Sequence, residues 1–177
     1  MAISIDQLVL KGDIVQPPAV QARIRDYLTK IFNNFQPFAS EIALKLLTKE
    51  LELYTRDGDG KPHAKLTFEI VVDPSMINGH GAMHGGCAVF LIDTCSSSAL
   101  AILAMHLEKP WNHVSQTLNT TFHAPMPVGA TLHIINVTQS LGSRTVSVLT
   151  EIWDVTNHRL CVSAVHNKMA PSSVSRL

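Results

Sequence analysis

The sequence predicts an α+β fold in which one antiparallel β-sheet wraps around a single long central helix, with an extra helix at the N-terminus. Three observations support this prediction. A long apolar stretch covers about residues 84–107, two strand-like segments precede it, and four more follow it. Antiparallel strands with one apolar face need an element to cover that face, and the long helix is the simplest one available.

The first 40 residues are predicted to be a leader followed by an amphipathic helix. The leader, 1–16, has no clear pattern, whereas Pro17-Pro18 is a favourable helix start. Apolar residues then recur at helical spacing: Val20, Ile24, Leu28, Ile31, Phe32 and Phe35. We expect this helix to cover the main domain, assigned to 41–170, and residues 171–177 to form a tail.

The strands are predicted from alternation and from turn residues. Residues 43–56 are expected to form a strand that ends at the hairpin-type turn Asp57-Gly58-Asp59-Gly60. The next strand, 64–72, alternates apolar and polar side chains clearly. Lys109-Pro110 ends the long helix. The four strands that follow are expected at about 112–124, 130–140, 144–155 and 159–169.

Composition limits the functional classes. The 177 residues include 14 basic and 14 acidic side chains, so the chain has no basic field that would attract nucleic acid or an anionic membrane. Three cysteines without a C-x-x-C pair argue against a disulfide framework or a zinc ribbon. The apolar run from Cys87 to Met105 contains Asp93 and three serines, so we predict no membrane span.

A glycine-rich loop leads directly into the long helix. Residues 78–86 read Asn-Gly-His-Gly-Ala-Met-His-Gly-Gly, and Asp93 is the only acid between Asp73 and Glu108. A charged side chain in an apolar helix is unfavourable unless a nearby group needs it. Backbone N–H groups at a helix start also bind anions or polarised oxygens. Together these features predict an active site.

Helix geometry predicts that this site is shared between two copies of the chain. His84 and Asp93 are nine residues apart, which places them half a turn out of phase and ~13 Å apart along the axis. Two antiparallel helices across a two-fold axis would bring the start of one beside the middle of the other. The Gly85 N–H would then donate to a substrate carbonyl, and Asp93 of the second copy would attack it or activate water. His84 and Asn78 would orient the loop and the substrate.

Each feature also has a simpler interpretation. Gly85-Gly86 can be a tight turn, His84 a helix cap, and Asp93 a partner for backbone or serine, but their joint occurrence favours a site. Cys95 lies about 200° around the helix from Asp93, which favours packing over a thiol nucleophile. His80 and His84 lie among glycines with no evident third ligand, so we expect no metal and no cofactor. Six other histidines show no ligand spacing and are predicted to be strand and surface residues: His106, His113, His123, His133, His158 and His166.

The motif Asn78-x5-His84-Gly85-Gly86, with Asp93 seven residues after the second glycine, resembles the hotdog-fold acyl-CoA thioesterases. The resemblance is to the phenylacetate-pathway and "thioesterase superfamily member" type. The segment 114–119, followed by Ala124-Pro125, is also similar, and the likeness covers roughly residues 40–170.

The resemblance implies roles for the motif residues. Asp93 would be the general base or nucleophile, and the Gly85 amide would polarise the thioester carbonyl. Asn78 and His84 would position substrate and water, and Ser115 would bond to Asp93 or to its water. Gly86 would take part in substrate binding.

The resemblance also implies an assembly and a coenzyme A contact. A hotdog dimer, often paired into a tetramer, is expected. The turn Gly142-Ser143-Arg144-Thr145 corresponds to the one that touches the coenzyme A nucleotide in similar proteins. Ser143 and Arg144 would then bind substrate, with Arg144 pairing with a phosphate. The alternative for Arg144 is an ordinary exposed charge at a strand start.

The function predicted is therefore acyl-CoA hydrolysis in lipid metabolism. Two alternatives stay open: a hotdog enoyl-CoA hydratase or dehydratase, and a non-catalytic acyl-CoA-binding protein. Asp93 argues against the binder, since a binder needs no carboxylate beside an apolar acyl chain. Ser175-Arg176-Leu177 resembles the Ser-Lys-Leu peroxisomal address, which implies a peroxisomal import receptor as partner; the alternative location is the cytoplasm.

Overall fold

A seven-stranded sheet packs against one long helix in the computed structural model, which describes residues 8–34 and 38–171. The elements, in chain order, are β1 (Val9–Lys11), α1 (Pro18–Asn34), α2 (Ser40–Ala43), β2 (Leu47–Arg56), β3 (Lys61–Val71), a 3₁₀ turn (Pro74–Met76), α3 (Gly85–His106), β4 (Val114–Phe122), β5 (Thr131–Leu141), β6 (Thr145–Asp154) and β7 (Arg159–Met169).

The strand order across the sheet is β1-β2-β3-β5-β6-β7-β4. All neighbours pair antiparallel except β1, which runs parallel to β2. The expectation of a wholly antiparallel sheet is therefore wrong at this edge. The chain between β1 and β2 contains α1, and a helical crossover is what a parallel pair requires. A strand of three residues is too short to show a sequence period.

The central helix α3 is buried because nearly all of it is apolar. Its 22 residues are long and apolar enough to cross a bilayer, but 78% of its most hydropathic 18-residue window is buried inside the domain. It packs against β3, β5 and β6. Its serines bond back to the helix: Ser97 Oγ donates to the Asp93 carbonyl at 2.7 Å, and Ser98 Oγ to that of Thr94 at 3.0 Å. The expected sheet around a central helix is confirmed.

Helix α1 packs on α3, as its periodicity predicts. Ile24 and Leu28 are fully buried in the core. Burial also raises the pKa of the Tyr27 phenol to about 12. Of the predicted apolar series, Phe35 lies outside the described residues.

The start of the predicted strand 43–56 is wrong. Ala43 closes the short helix α2, and β2 begins only at Leu47. Ala39 stands before α2 with a φ of 50°, and the buried Ala43 and Leu46 face the core. A helical turn three to four residues long buries the same apolar side chains that a strand would have buried, so alternation cannot distinguish the two.

One edge of the sheet is open beside α3. Strand β4 is hydrogen-bonded to β7 and to no other strand in the part of the chain that the structure describes. Val114 and Phe122, at its two ends, are about half exposed. An open strand edge of nine residues is a surface on which a second strand can pair.

Candidate active site

The glycine-rich loop before α3 is closed by its own hydrogen bonds. The Asn78 N–H donates to the Ala82 carbonyl at 2.8 Å, and the His80 N–H donates to the Asn78 side-chain oxygen at 2.8 Å. Gly81 takes the positive φ, +75°, that lets the loop turn. The loop therefore fixes Asn78 through its side-chain oxygen, which leaves the amide Nδ2 group to donate to a ligand.

At the start of α3, one backbone donor stays free. His84 is the N-cap, and its Nδ1 accepts the Gly86 N–H at 2.9 Å. The Gly85 N–H has no acceptor among the described residues. A free N–H at the positive end of a helix can stabilise a developing oxyanion. Neither Gly85 nor Gly86 has a positive φ, so the alternative in which they form only a tight turn is not favoured.

Gly85, which carries this free N–H, lines a cleft. A Cβ placed on Gly85 would lie 3.4 Å from Cζ of Phe122, on the edge strand β4. The absence of a side chain therefore leaves room for a substrate to approach the amide. The cleft is lined by Asn78, Met83, Gly85, Phe122, His123 and Met126, among others.

Asp93 lies in a separate polar cluster halfway along α3. Its side chain is 50% exposed. The Ser115 hydroxyl of β4 donates to Asp93 Oδ1 at 3.1 Å. Two side chains of β7 also approach Oδ1: His166 Nε2 at 3.5 Å and Lys168 Nζ at 3.9 Å. The predicted pairing of Ser115 with Asp93 is present in the structure.

Further hydrogen bonds connect this cluster to other side chains of α3, β4 and β7. His166 Nε2 lies 3.0 Å from Ser115 Oγ, and its Nδ1 lies 2.7 Å from Ser96 Oγ. Lys168 Nζ donates to Ser97 Oγ at 2.9 Å and to Ser115 Oγ at 3.0 Å. Burial, and then the nearby Lys168, lower the pKa of His166 to about 4. His166 is therefore neutral near pH 7.

His166 and Lys168 are the site residues that the sequence reasoning missed. His166 lies on a strand, as predicted, but the prediction that it is a surface residue is wrong, since it is fully buried against Ser96 and Ser115. The alternation of side chains along β7 could have indicated them. His166 and Lys168 are in phase with the inward-facing Val162 and Ala164, where apolar residues are expected.

The structure does not bring the two halves of the predicted site together within one chain. Gly85 and Asp93 lie on the same helix, eight residues and therefore ~12 Å apart along its axis. The open edge of β4 carries groups of both halves, Phe122 beside Gly85 and Ser115 beside Asp93. This geometry agrees with the argument that a second copy is needed.

The predicted coenzyme A turn lies at the other end of α3. Ser143 and Arg144 are exposed between β5 and β6, and the Arg144 carbonyl accepts the Ala170 N–H at 2.9 Å. Ser143 shares a cleft with Ala104, near the helix C-terminus, and with Trp111. Arg144 thus offers an exposed guanidinium, and within one chain it does not join Gly85.

Other reactive side chains are accounted for by packing. Cys95 is fully buried, and burial raises the pKa of its thiol well above the ordinary value, which disfavours a thiolate. Among the described residues, no three His, Cys, Asp or Glu side chains form a metal-binding group.

Comparison with known proteins relates part of the chain to one protein family. Residues 80–161 match the family model of the thioesterase superfamily. The match covers 82 of the 177 residues. It contains Gly85, Asp93 and Ser115, so the two candidate half-sites both fall inside the matched region. A comparison with curated proteins finds no match.

Solved structures share the hotdog thioesterase fold. Zebrafish thioesterase superfamily member 2 is 19% identical, with a TM-score of 0.67, over 82% of this chain and 97% of that one. The E. coli PaaI protein from the phenylacetic acid degradation operon is 18% identical, with a TM-score of 0.65, over 87% and 97%. A Streptococcus pneumoniae hypothetical thioesterase with coenzyme A is 18% identical, with a TM-score of 0.54, over 59% and 79%. The predicted hotdog fold is confirmed, and the match to the thioesterase-superfamily model agrees with the predicted family.

Proposed function

We propose that the protein hydrolyses an acyl-CoA thioester to a free acid and coenzyme A. One observation carries the proposal: a half-exposed carboxylate, Asp93, accepts a hydrogen bond from Ser115, while the helix that holds it begins with the free Gly85 N–H. A base and an oxyanion donor are what acyl transfer to water requires. The match to the thioesterase-superfamily model and the coenzyme A bound to a similar fold support this chemistry.

The reaction follows from these groups. The thioester carbonyl oxygen accepts from the Gly85 N–H of one protomer, with Asn78 Nδ2 as a second donor. Asp93 of the partner takes a proton from water as the water oxygen bonds to the carbonyl carbon. The tetrahedral oxyanion then collapses, the C–S bond breaks, and the thiolate recovers the proton from Asp93. Atoms and charges balance without a metal or cofactor.

A homodimer, alone or paired into a tetramer, supplies the second half of the site. Pairing of two β4 edges would continue the sheet and set the two α3 helices antiparallel. Gly85 of each copy would then face Asp93 of the other. Arg144, exposed at its turn, would bind a coenzyme A phosphate by a charge-assisted hydrogen bond.

The test is a panel of acyl-CoAs with free thiol as the readout. We expect thiol release with at least one acyl group, and a loss of kcat of about 100-fold or more in Asp93→Asn. Asp26→Asn, on the exposed face of α1, is the matched control and should keep full activity. Addition of water to an enoyl-CoA without free thiol would indicate a hydratase instead. Tight acyl-CoA binding with no turnover would indicate a binding protein.

A further inference from the structure

A buried lysine stands directly behind the candidate base. Lys168 is 6% exposed and lies on the inward face of β7, where Val162 and Ala164 are also buried. Its Nζ donates to Ser97 Oγ at 2.9 Å and to Ser115 Oγ at 3.0 Å, and it lies 3.9 Å from Asp93 Oδ1. The two serine hydroxyls thus use two of the three N–H donors of the ammonium group, and the Asp93 carboxylate lies at ion-pair distance.

A buried ammonium group is unfavourable unless nearby groups balance its charge and accept its hydrogen bonds. Three titratable side chains face it: Asp93 from α3, His166 from β7, and His113 from the segment before β4. Burial, and then Lys168, lower the pKa of both histidines. The histidines are therefore neutral near pH 7, and Asp93 is the charge that balances Lys168.

Hydrogen-bond directions give the lysine a specific effect. Ser115 Oγ has one proton to donate and contacts Asp93 Oδ1, His166 Nε2 and Lys168 Nζ. The ammonium can only donate, so Ser115 must accept from it. When His166 carries its proton on Nε2, it also donates to Ser115, and its Nδ1 accepts from Ser96. The Ser115 proton is then directed to the Asp93 carboxylate.

We propose that Lys168 is a positioning residue for the hydrolysis: its ammonium fixes the Ser115 hydroxyl as a donor to Asp93 and places a positive charge beside that carboxylate. The proposal rests on the proposed function, and Lys168 acts through Ser115 and Asp93 without touching substrate. Its loss should therefore slow the chemical step and leave substrate affinity unchanged.

Kinetics of Lys168→Met test this role. We expect kcat to fall about tenfold, the size of a typical coupled contact, with KM within about twofold. Lys49→Met is the matched control, since it removes a half-buried lysine and its ion pair with Glu69 away from Asp93. In a double-mutant cycle, Lys168→Met should cost less activity in the Ser115→Ala background than in the wild type, because part of its effect passes through Ser115. Additive losses, a pure KM effect, or activity equal to that of the control would overturn the proposal.

A second measurement does not need activity. Burial lowers the pKa of Lys168, and Asp93 opposes this effect. Titration of the lysine ¹³Cε resonances should show Lys168 below the ordinary lysine pKa, and lower still in Asp93→Asn. An unchanged Lys168 pKa in Asp93→Asn would overturn the proposal, even if Lys168→Met fails to fold. If Asp93→Asn lowers the pKa of Lys168 but the wild-type protein hydrolyses no thioester, the proposed function fails instead.

Discussion

At the scale of single residues, the proposed site depends on the lack of a side chain at Gly85 as much as on the carboxylate of Asp93. Gly85 leaves its amide open to the cleft, and Phe122 limits the space above it. Asp93, in contrast, is held by Ser115 and supported by two side chains of β7. Substitutions at these positions should thus separate loss of activity from loss of stability.

Gly85→Ala should abolish most activity without unfolding the protein. The new methyl would make an ordinary contact, 3.4 Å from the Phe122 ring, and would occupy the space through which a carbonyl reaches the amide. We expect kcat/KM to fall about 100-fold, as for loss of an oxyanion donor, with an unchanged or higher Tm. Gly58→Ala, in the β2–β3 turn with open space around it, is the control. A fully active Gly85→Ala would contradict the role of this amide.

Acid should destabilise the fold through His166. Its pKa is about 4 in the folded protein, against the ordinary histidine value of 6.5, so the unfolded chain binds the proton more readily. The free energy of unfolding should therefore fall as the pH drops from about 6.5 towards 4, by up to about 3 kcal/mol. Urea denaturation of the wild type and of His166→Asn across this pH range measures this change in the free energy of unfolding. Equal slopes in the two proteins would contradict the prediction.

At the scale of elements, long periodic segments were predictable and short ones were not. The bounds of α3, β3 and the four last strands agree with the prediction within a few residues, because each spans several periods. Strand β1 and helix α2 contain three and four residues and show no period. The contact of Asp93 with His166 joins residues 73 positions apart, and a single sequence does not encode such a distance locally.

The N-terminal helix should contribute strongly to stability. Leu28 of α1 is fully buried in the core, so Leu28→Ala should lower the free energy of unfolding by about 2–5 kcal/mol. Val15→Ala, at a position 89% exposed, should change it by less than about 0.5 kcal/mol. Chemical denaturation with circular dichroism measures both. If Leu28→Ala behaves like Val15→Ala, α1 does not form part of the core.

At the scale of the whole molecule, a shared site predicts complementation between inactive variants. A mixed dimer of Gly85→Ala and Asp93→Asn chains regains one intact site, because each chain supplies the group that the other lacks. Random mixing should restore about a quarter of wild-type activity. Each variant mixed with itself is the control. No recovery, in mixtures shown to exchange subunits, would mean that each site lies within one chain.

The location of the protein remains a prediction as well. Ser175-Arg176-Leu177 lies outside the described residues, and we propose that it directs the chain to peroxisomes. A fluorescent protein fused in front of the chain should colocalise with a peroxisomal marker. The same fusion without these three residues should spread through the cytoplasm. Diffuse fluorescence of both fusions would contradict the proposal.

The unpaired edge of β4 has a consequence for the newly made chain. A solitary folded chain presents nine residues of open backbone on this edge, with the half-exposed Val114 and Phe122 at its ends. Such an edge also accepts incorrect partners, so low expression or slow assembly should favour aggregates seeded by strand addition. The edge that would complete the proposed site is therefore also a surface on which incorrect strands can pair.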